Sequence, residues 1–253
     1  MGDAGMKTFI FDSFAALSVQ AAEDLITLTA AKEHPLVCVA SGDSPAGLYK
    51  HIVDKVRRKE LDTSGWLFLG LDEWQGMNGN DEGSCRFHID RELFVPLGVE
   101  DRNIFFFDGR ATDPAAECSA AESFIRDHGG ISVAILGLGL NGHVGMNEPN
   151  TPVSSRTHVA QLEAITAQTG QKYFSKAQKL EKGITLGLAT LLESSILFLL
   201  VSGKKKAGIV QKAFEGELSE AIPASLLRRH PGLRVYLDED AASLLASSQG
   251  ARR

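Results

Sequence analysis

The sequence predicts an α/β chain: a doubly wound, mostly parallel sheet with helices on both faces. Three observations carry that expectation. Continuous apolar runs such as Leu36 to Ala40 and Ile196 to Val201 have the composition of strands buried on both sides. Between such runs lie stretches with apolar residues at three- and four-residue spacing, so strand and helix alternate along the chain. Polar and glycine residues gather just after the strands, at 41–44, 72–74, 137–148 and 203–206, where open parallel sheets bind their ligands.

Lys7 to Phe11 reads as a short strand, and Ser13 caps a helix to about Lys32 with Phe14, Leu17, Ala21, Leu25 and Leu28 on one face. Strand Leu36 to Ala40 ends at Ser41-Gly-Asp-Ser-Pro45. Pro45 suits the first position of a helix toward Lys59, so the amides of Ser41, Gly42, Asp43 and Ser44 converge ahead of a helix N-terminus. That geometry holds phosphate. Trp66 to Leu71 is a strand ending at Asp72-Glu73-Trp74; after the polar stretch Gln75 to Ser84, Ser84 starts a helix holding Phe87, Leu93 and Phe94. Asn103 to Phe107 is a strand, Asp113 to His128 a helix and Ile131 to Ile135 a strand. Thr157 to Gln161 reads as a short strand followed by irregular chain to 182, and Ile184 to Glu193 as a helix. After strand Ile196 to Val201, a helix runs from Gly203-Lys-Lys-Lys-Ala207 to about Phe214. Arg228-Arg229-His230 reads as a solvated helix end, Leu233 to Leu237 as a strand, and Asp238 as the cap of a last helix.

The chain is organised around Leu136-Gly-Leu-Gly-Leu-Asn-Gly-His-Val-Gly-Met-Asn-Glu-Pro149. Glycines at 137, 139, 142 and 145 let the backbone turn through positive φ and let a ligand approach the main chain. Asn141, His143 and Glu148 are close enough in sequence for one loop to aim all three at a point. A packing turn with a locally satisfied histidine is the alternative; the conjunction with imidazole, the usual proton carrier near neutral pH, favours chemistry. Asp72 ends a strand with an apolar interior. A carboxylate in such a crevice has a raised pKa and can abstract a carbon-bound proton, or it caps the next turn. Lys204, Lys205 and Lys206 at a helix start oppose the macrodipole, and an anion between this helix and the 41–44 loop compensates them, with one lysine inward and the others in solvent. The Asp43 side chain, which would repel that anion, is expected to turn away.

The 253 residues suit one large domain without a linker, and the net charge of −6 implies no basic face for nucleic acid. Cys38, Cys85 and Cys118 lack Cys-x-x-Cys spacing, which argues against a disulfide framework or zinc site and suits a reducing compartment, with all three as buried or half-buried thiols. Residues Met1 to Met6 hold no apolar signal core, and the longest apolar run is far short of a membrane span. The expectation is a cytoplasmic protein with no membrane or nucleic-acid partner and no metal.

Together, Ser41-Gly-x-Ser-Pro45, Leu71-Asp-Glu-Trp74, Gly137-Leu-Gly-x-Asn-Gly-His-x-Gly-x-Asn-Glu-Pro149, Ser155-Arg-Thr157 and Gly203-x-x-Lys-Ala207 resemble the amino-sugar-6-phosphate deaminase/isomerase family, in order from about residue 36 to 240. Gly83-Ser-Cys-Arg-Phe-His88, Val95-Pro-Leu-Gly98 and Ala221-Ile-Pro-Ala-Ser225 look more like its galactosamine-6-phosphate branch. The resemblance implies a Rossmann-like fold of the sugar-phosphate isomerase type. It makes Asp72 the base that moves a proton between C2 and C1, His143 the group that assists ring opening, Glu148 its carboxylate partner, and Asn141 an amide that can still orient the imidazole. It puts phosphate on Ser41, Gly42, Asp43, Ser44, Gly137 and Lys206, with Lys172 where a family arginine helps.

The implied reaction is an aldose–ketose shift giving a carbinolamine or imine that water resolves to ammonium and ketose phosphate. It needs no redox cofactor or metal, and suggests the class hydrolase beside isomerase and deaminase. Galactosamine 6-phosphate is the favoured substrate and its gluco epimer the other. Three departures stand out: Asn141 where the family's type member has Asp, Lys172 for Arg, and His158 with Ala160 where a basic pair builds an allosteric site. With a chain that also stops early, no activation by an acetylated amino-sugar phosphate is expected; a homo-oligomer is allowed. The rivals are a 6-phosphogluconolactonase, whose family shows Arg where Trp74 stands, and a non-catalytic sugar-phosphate-binding regulator.

Overall fold

The computed structural model describes residues 6–246. Of the amino-terminal segment read for a signal core, residues 1–5 lie outside the described residues. The strands are Lys7–Phe11 (β1), Leu36–Val39 (β2), Leu67–Gly70 (β3), Asp72–Trp74 (β4), Ile104–Phe105 (β5), Val133–Gly137 (β6), His158–Gln161 (β7), Lys182–Thr185 (β8), Ile196–Val201 (β9) and Leu233–Asp238 (β10). The α-helices are Phe14–Thr29 (α1), Asp43–Arg57 (α2), Cys85–Ile89 (α3), Val95–Leu97 (α4), Pro114–Asp127 (α5), Ala164–Gly170 (α6), Leu188–Leu192 (α7), Ala207–Glu215 (α8), Pro223–Leu226 (α9) and Glu239–Ala242 (α10).

Seven strands form one parallel sheet in the order β1-β10-β9-β6-β2-β3-β5. Its strands read as apolar runs because both faces are covered. Along β2, Leu36 and Cys38 join the core under α5, α7 and α8, whereas Val37 and Val39 join the core under α1 and α2. In β9, Leu197, Leu199 and Val201 face one core and Phe198 and Leu200 the other. Each such side chain contributes about 1.5–3 kcal/mol by leaving water, more than any single cap or ion pair in the chain.

The strand order reverses between β2 and β6. From β2 the chain winds outward through β3 and β5; from β6 it winds the other way through β9 and β10. A crevice opens at such a switch point, past the carboxyl ends of the strands. Here it lies between the 41–44 turn and the loop after Gly137.

A second, antiparallel sheet in the order β4-β8-β7 sits at that same end. It corrects the sequence reading twice. Ile184 to Glu193 is not a continuous helix: residues 182–185 form β8, and the helix α7 starts at Leu188. Asp72-Glu73-Trp74 is not the tail of the preceding strand but a strand of its own, paired with Thr185, Ile184 and Gly183. The irregular segment also contains α6. Helix α2 starts at Asp43, capped by Gly42, two residues before the proline expected to begin it. His230 is buried, its Nε2 2.7 Å from the Ser194 carbonyl, so Arg228-Arg229-His230 is not a wholly solvated end.

Candidate active site

Asp72 and Glu73 are neighbours with opposite duties. The Glu73 carboxylate has no exposed surface and accepts from the amides of Trp74 at 2.8 Å, Cys85 at 2.9 Å and Arg86 at 2.9 Å. It ties β4 to the start of α3. Burial pushes it up to about 7 against the pull of those amides. That anchoring aims the next side chain of the alternating strand the other way, into the crevice. Asp72 is 8% exposed, lies beside the Cys85 thiol, and is pushed up to about 6 by burial.

The glycine-rich loop forms the facing wall. Gly142 and Gly145 have positive φ, whereas Gly137 and Gly139 serve by being small: a Cβ on Gly139 would lie 2.3 Å from the His143 ring. His143 Nδ1 is 2.7 Å from Asn141 Oδ1, and Asn141 Nδ2 donates to Glu148 Oε2 at 2.8 Å. The amide group that faces the carboxylate must be its NH2, so its oxygen faces the ring and Nδ1 carries the proton of the neutral imidazole. Nε2 is then the nitrogen free to accept. Burial lowers the His143 pKa; the Glu148 charge, whose Oε2 is 3.7 Å from Nδ1, raises it without overcoming burial, and Lys206 lowers it further. Asn147, fully buried, donates to the carbonyls of Val144 and Leu186 and holds the loop on the end of β8.

One cavity of about 280 Å³ is lined by Asp72 and His143 together with Ser41, Gly42, Asp43 and Ser44. Gly137, Lys172 and Lys206 also line it. Asn141 and Glu148 do not; they stand behind His143. A Cβ on Gly137 would approach Ser44 Oγ to 3.3 Å, so the two loops nearly touch at the switch point. Lys206 turns inward and its ammonium donates to the Leu138 carbonyl, while Lys204 and Lys205 are exposed. Burial, with Lys172 nearby, brings Lys206 down to about 8. The Asp43 side chain is exposed and pairs with Lys172.

The sequence reading missed Thr166, whose hydroxyl is 3.1 Å from His143 Nδ1, and the Glu163 amide, which donates to Glu148 Oε1 at 3.2 Å. Both come from the start of α6. Cys85, read as a buried or half-buried thiol, is buried and lines the cavity beside Asp72, and Tyr173 lines it beside Lys172. Glu163, Thr166 and Tyr173 belong to or flank α6, whose apolar pattern is too weak to read.

The family model described as glucosamine-6-phosphate isomerases/6-phosphogluconolactonase matches residues 11–236. The chain belongs to this family. Glucosamine-6-phosphate deaminase of Thermoanaerobacter pseudethanolicus is 32% identical over 241 residues, covering 95% of each chain. A solved structure of a monomeric glucosamine-6-phosphate deaminase superposes with a TM-score of 0.91 at 34% identity, over 94% of this chain and 100% of that one. A 6-phosphogluconolactonase of Trypanosoma brucei, at 18% identity and a TM-score of 0.75 over 95% of this chain and 98% of that one, shares the fold. Membership in the glucosamine-6-phosphate isomerase family corrects one expectation: the isomerase and deaminase names recur among these relatives, and the class hydrolase finds no support in them. Among the described residues, no helix is long and apolar enough to cross a membrane, and no group of three or more His, Cys, Asp or Glu is placed to hold a metal ion.

Proposed function

We propose that this chain is a deaminating isomerase of an amino-sugar 6-phosphate. The observation that carries the reading is the shared cavity, lined by a buried carboxylate, an imidazole, a helix N-terminus and a half-buried lysine. In this reading the 41–44 turn, Gly137, Lys172 and Lys206 hold the phosphate. His143 Nε2 takes the anomeric hydroxyl proton and returns it to the ring oxygen, opening the ring. Asp72 then removes the C2 proton and delivers it to C1, while a proton passes from the amino nitrogen to the C1 oxygen. The resulting imine at C2 adds water, and the carbinolamine collapses to ketose phosphate and ammonium. Asn141 and Glu148 orient the imidazole and hold its reactive tautomer.

The relatives are named for the gluco sugar, and the galacto preference read from the branch motifs enters as a second arm of the assay. Purified protein is given glucosamine 6-phosphate, galactosamine 6-phosphate or 6-phosphogluconolactone, with coupled detection of ammonium and of acid. Ammonium from at least one amino sugar is the expected result. Lactone hydrolysis with no ammonium would make the chain a lactonase, and binding without turnover of any would make it a regulator.

The two perturbed groups set a pH window. Asp72 acts ionised, so kcat/KM rises as pH climbs through about 6. Lys206 binds the phosphate protonated, so kcat/KM falls as pH climbs through about 8. A bell-shaped profile is expected; a flat profile across both values would contradict these assignments.

A further inference from the structure

Tyr173 ends a 3₁₀ turn that begins at Gln171, and it lines the cavity beside Lys172, Gly42 and Asp43. Its hydroxyl sits so close to the start of α2 that a Cβ built on Gly42 would lie 2.7 Å from it. Gly42 also has φ of 102°, so an L residue there would meet both backbone strain and the phenol. The His88 ring packs edge-on against Tyr173 with centroids 5.1 Å apart, and Lys172 Nζ stands 4.8 Å over its face. The ring therefore has a fixed direction.

The Lys172 ammonium and the backbone of Gly42 and Asp43 lie beside the phenol. Among the described residues nothing accepts the phenol's own proton. A phenol at a cavity wall with no acceptor for its proton has that proton to give, and an anionic oxygen takes such a proton most strongly. Lys172 alone is a point charge without the forked geometry that grips phosphate. It also has to neutralise the Asp43 carboxylate, with which it pairs. A neutral directed donor beside it supplies what the ammonium lacks.

We propose that Tyr173 is a phosphate-binding residue, its hydroxyl donating to the substrate's phosphoryl oxygen while Lys172 supplies charge, so that the two side chains together do the work of one guanidinium. This rests on the reading that puts phosphate at the 41–44 turn. The test is calorimetric titration of inorganic phosphate into the wild-type protein, Tyr173→Phe, and Tyr173→Phe combined with Lys172→Arg. Tyr173→Phe keeps the ring and its packing on His88, and thermal melting checks that it folds. Its phosphate affinity is expected to fall about tenfold, the worth of a hydrogen bond to a charged group, and the double variant to recover most of that loss. Unchanged affinity in Tyr173→Phe would overturn the proposal. Tighter binding would also overturn it, because Tyr173 would then be a group that phosphate displaces from the Asp43 amide. No phosphate binding by the wild type would sink the underlying phosphate reading and this proposal together, whereas wild-type binding that Tyr173→Phe leaves intact sinks this proposal alone.

Discussion

Asp72→Asn is expected to lower turnover of the amino-sugar phosphate by about 10³–10⁴-fold, or ~4–5 kcal/mol of barrier, and to end the exchange of the C2 proton with solvent. An amide fits where the carboxylate stood but cannot take a proton from carbon. The site is 8% exposed, so no bulk base replaces it. The neighbouring carboxylates are committed elsewhere: Glu73 holds three backbone amides, and Glu148 stands behind His143 on Asn141 and the Glu163 amide. If the 41–44 turn and Lys206 hold the phosphate as proposed, phosphate binding is expected to stay close to wild type. The check is loss of the C2 proton signal in heavy water by NMR, read beside a phosphate titration. Exchange that survives in Asp72→Asn would place the base on another residue.

His143→Gln is expected to cost about 10²-fold in turnover. The loss is smaller than for Asp72 because sugars open slowly in water without help, whereas a C–H proton needs a base. The variant also separates the two ionisations. Burial holds the His143 pKa below its ordinary value, and the pull of Glu148 does not reverse that. Asp72, pushed up to about 6 by burial, is assigned the acid limb, which is expected to persist in His143→Gln. Its disappearance, measured in the pH dependence of kcat/KM, would transfer that limb to the imidazole.

The parallel sheet was legible because its strands carry their evidence in composition. Leu36 to Val39 and Ile196 to Val201 are apolar on both faces, and only a covered parallel strand makes use of that. The second sheet was not legible. Strand β4 is three residues long and two of them are acidic, and its stability comes from Glu73 on the α3 amides and from pairing with β8, both distant in sequence. In turn, Ile184, Leu186, Leu188 and Leu191 imitate a helical stripe, although the first belongs to a strand. Helix α6 escaped notice because its buried residues are Thr166 and Gly170, so it shows water no contrasting apolar face. A helix that lines a polar cavity lacks the amphipathic signature of one that covers a core.

The candidate site followed the same division. Asp72, His143, Lys206 and the 41–44 turn lie at strand ends, where sequence position and topology coincide. Thr166 and Tyr173 sit on the segment whose structure was invisible, and nothing in their spacing connects Thr166 to His143, 23 residues upstream, or Tyr173 to Gly42 in the 41–44 turn.

The most direct measurement is a crystal structure with the unreactive amino alcohol 6-phosphate obtained by reducing the aldehyde of the open-chain substrate. The phosphate should be gripped by the 41–44 amides and Lys206, with C2 against the Asp72 carboxylate and the C5 hydroxyl within reach of His143 Nε2. A ligand bound in the opposite sense, or seated outside the crevice between β2 and β6, would contradict the account.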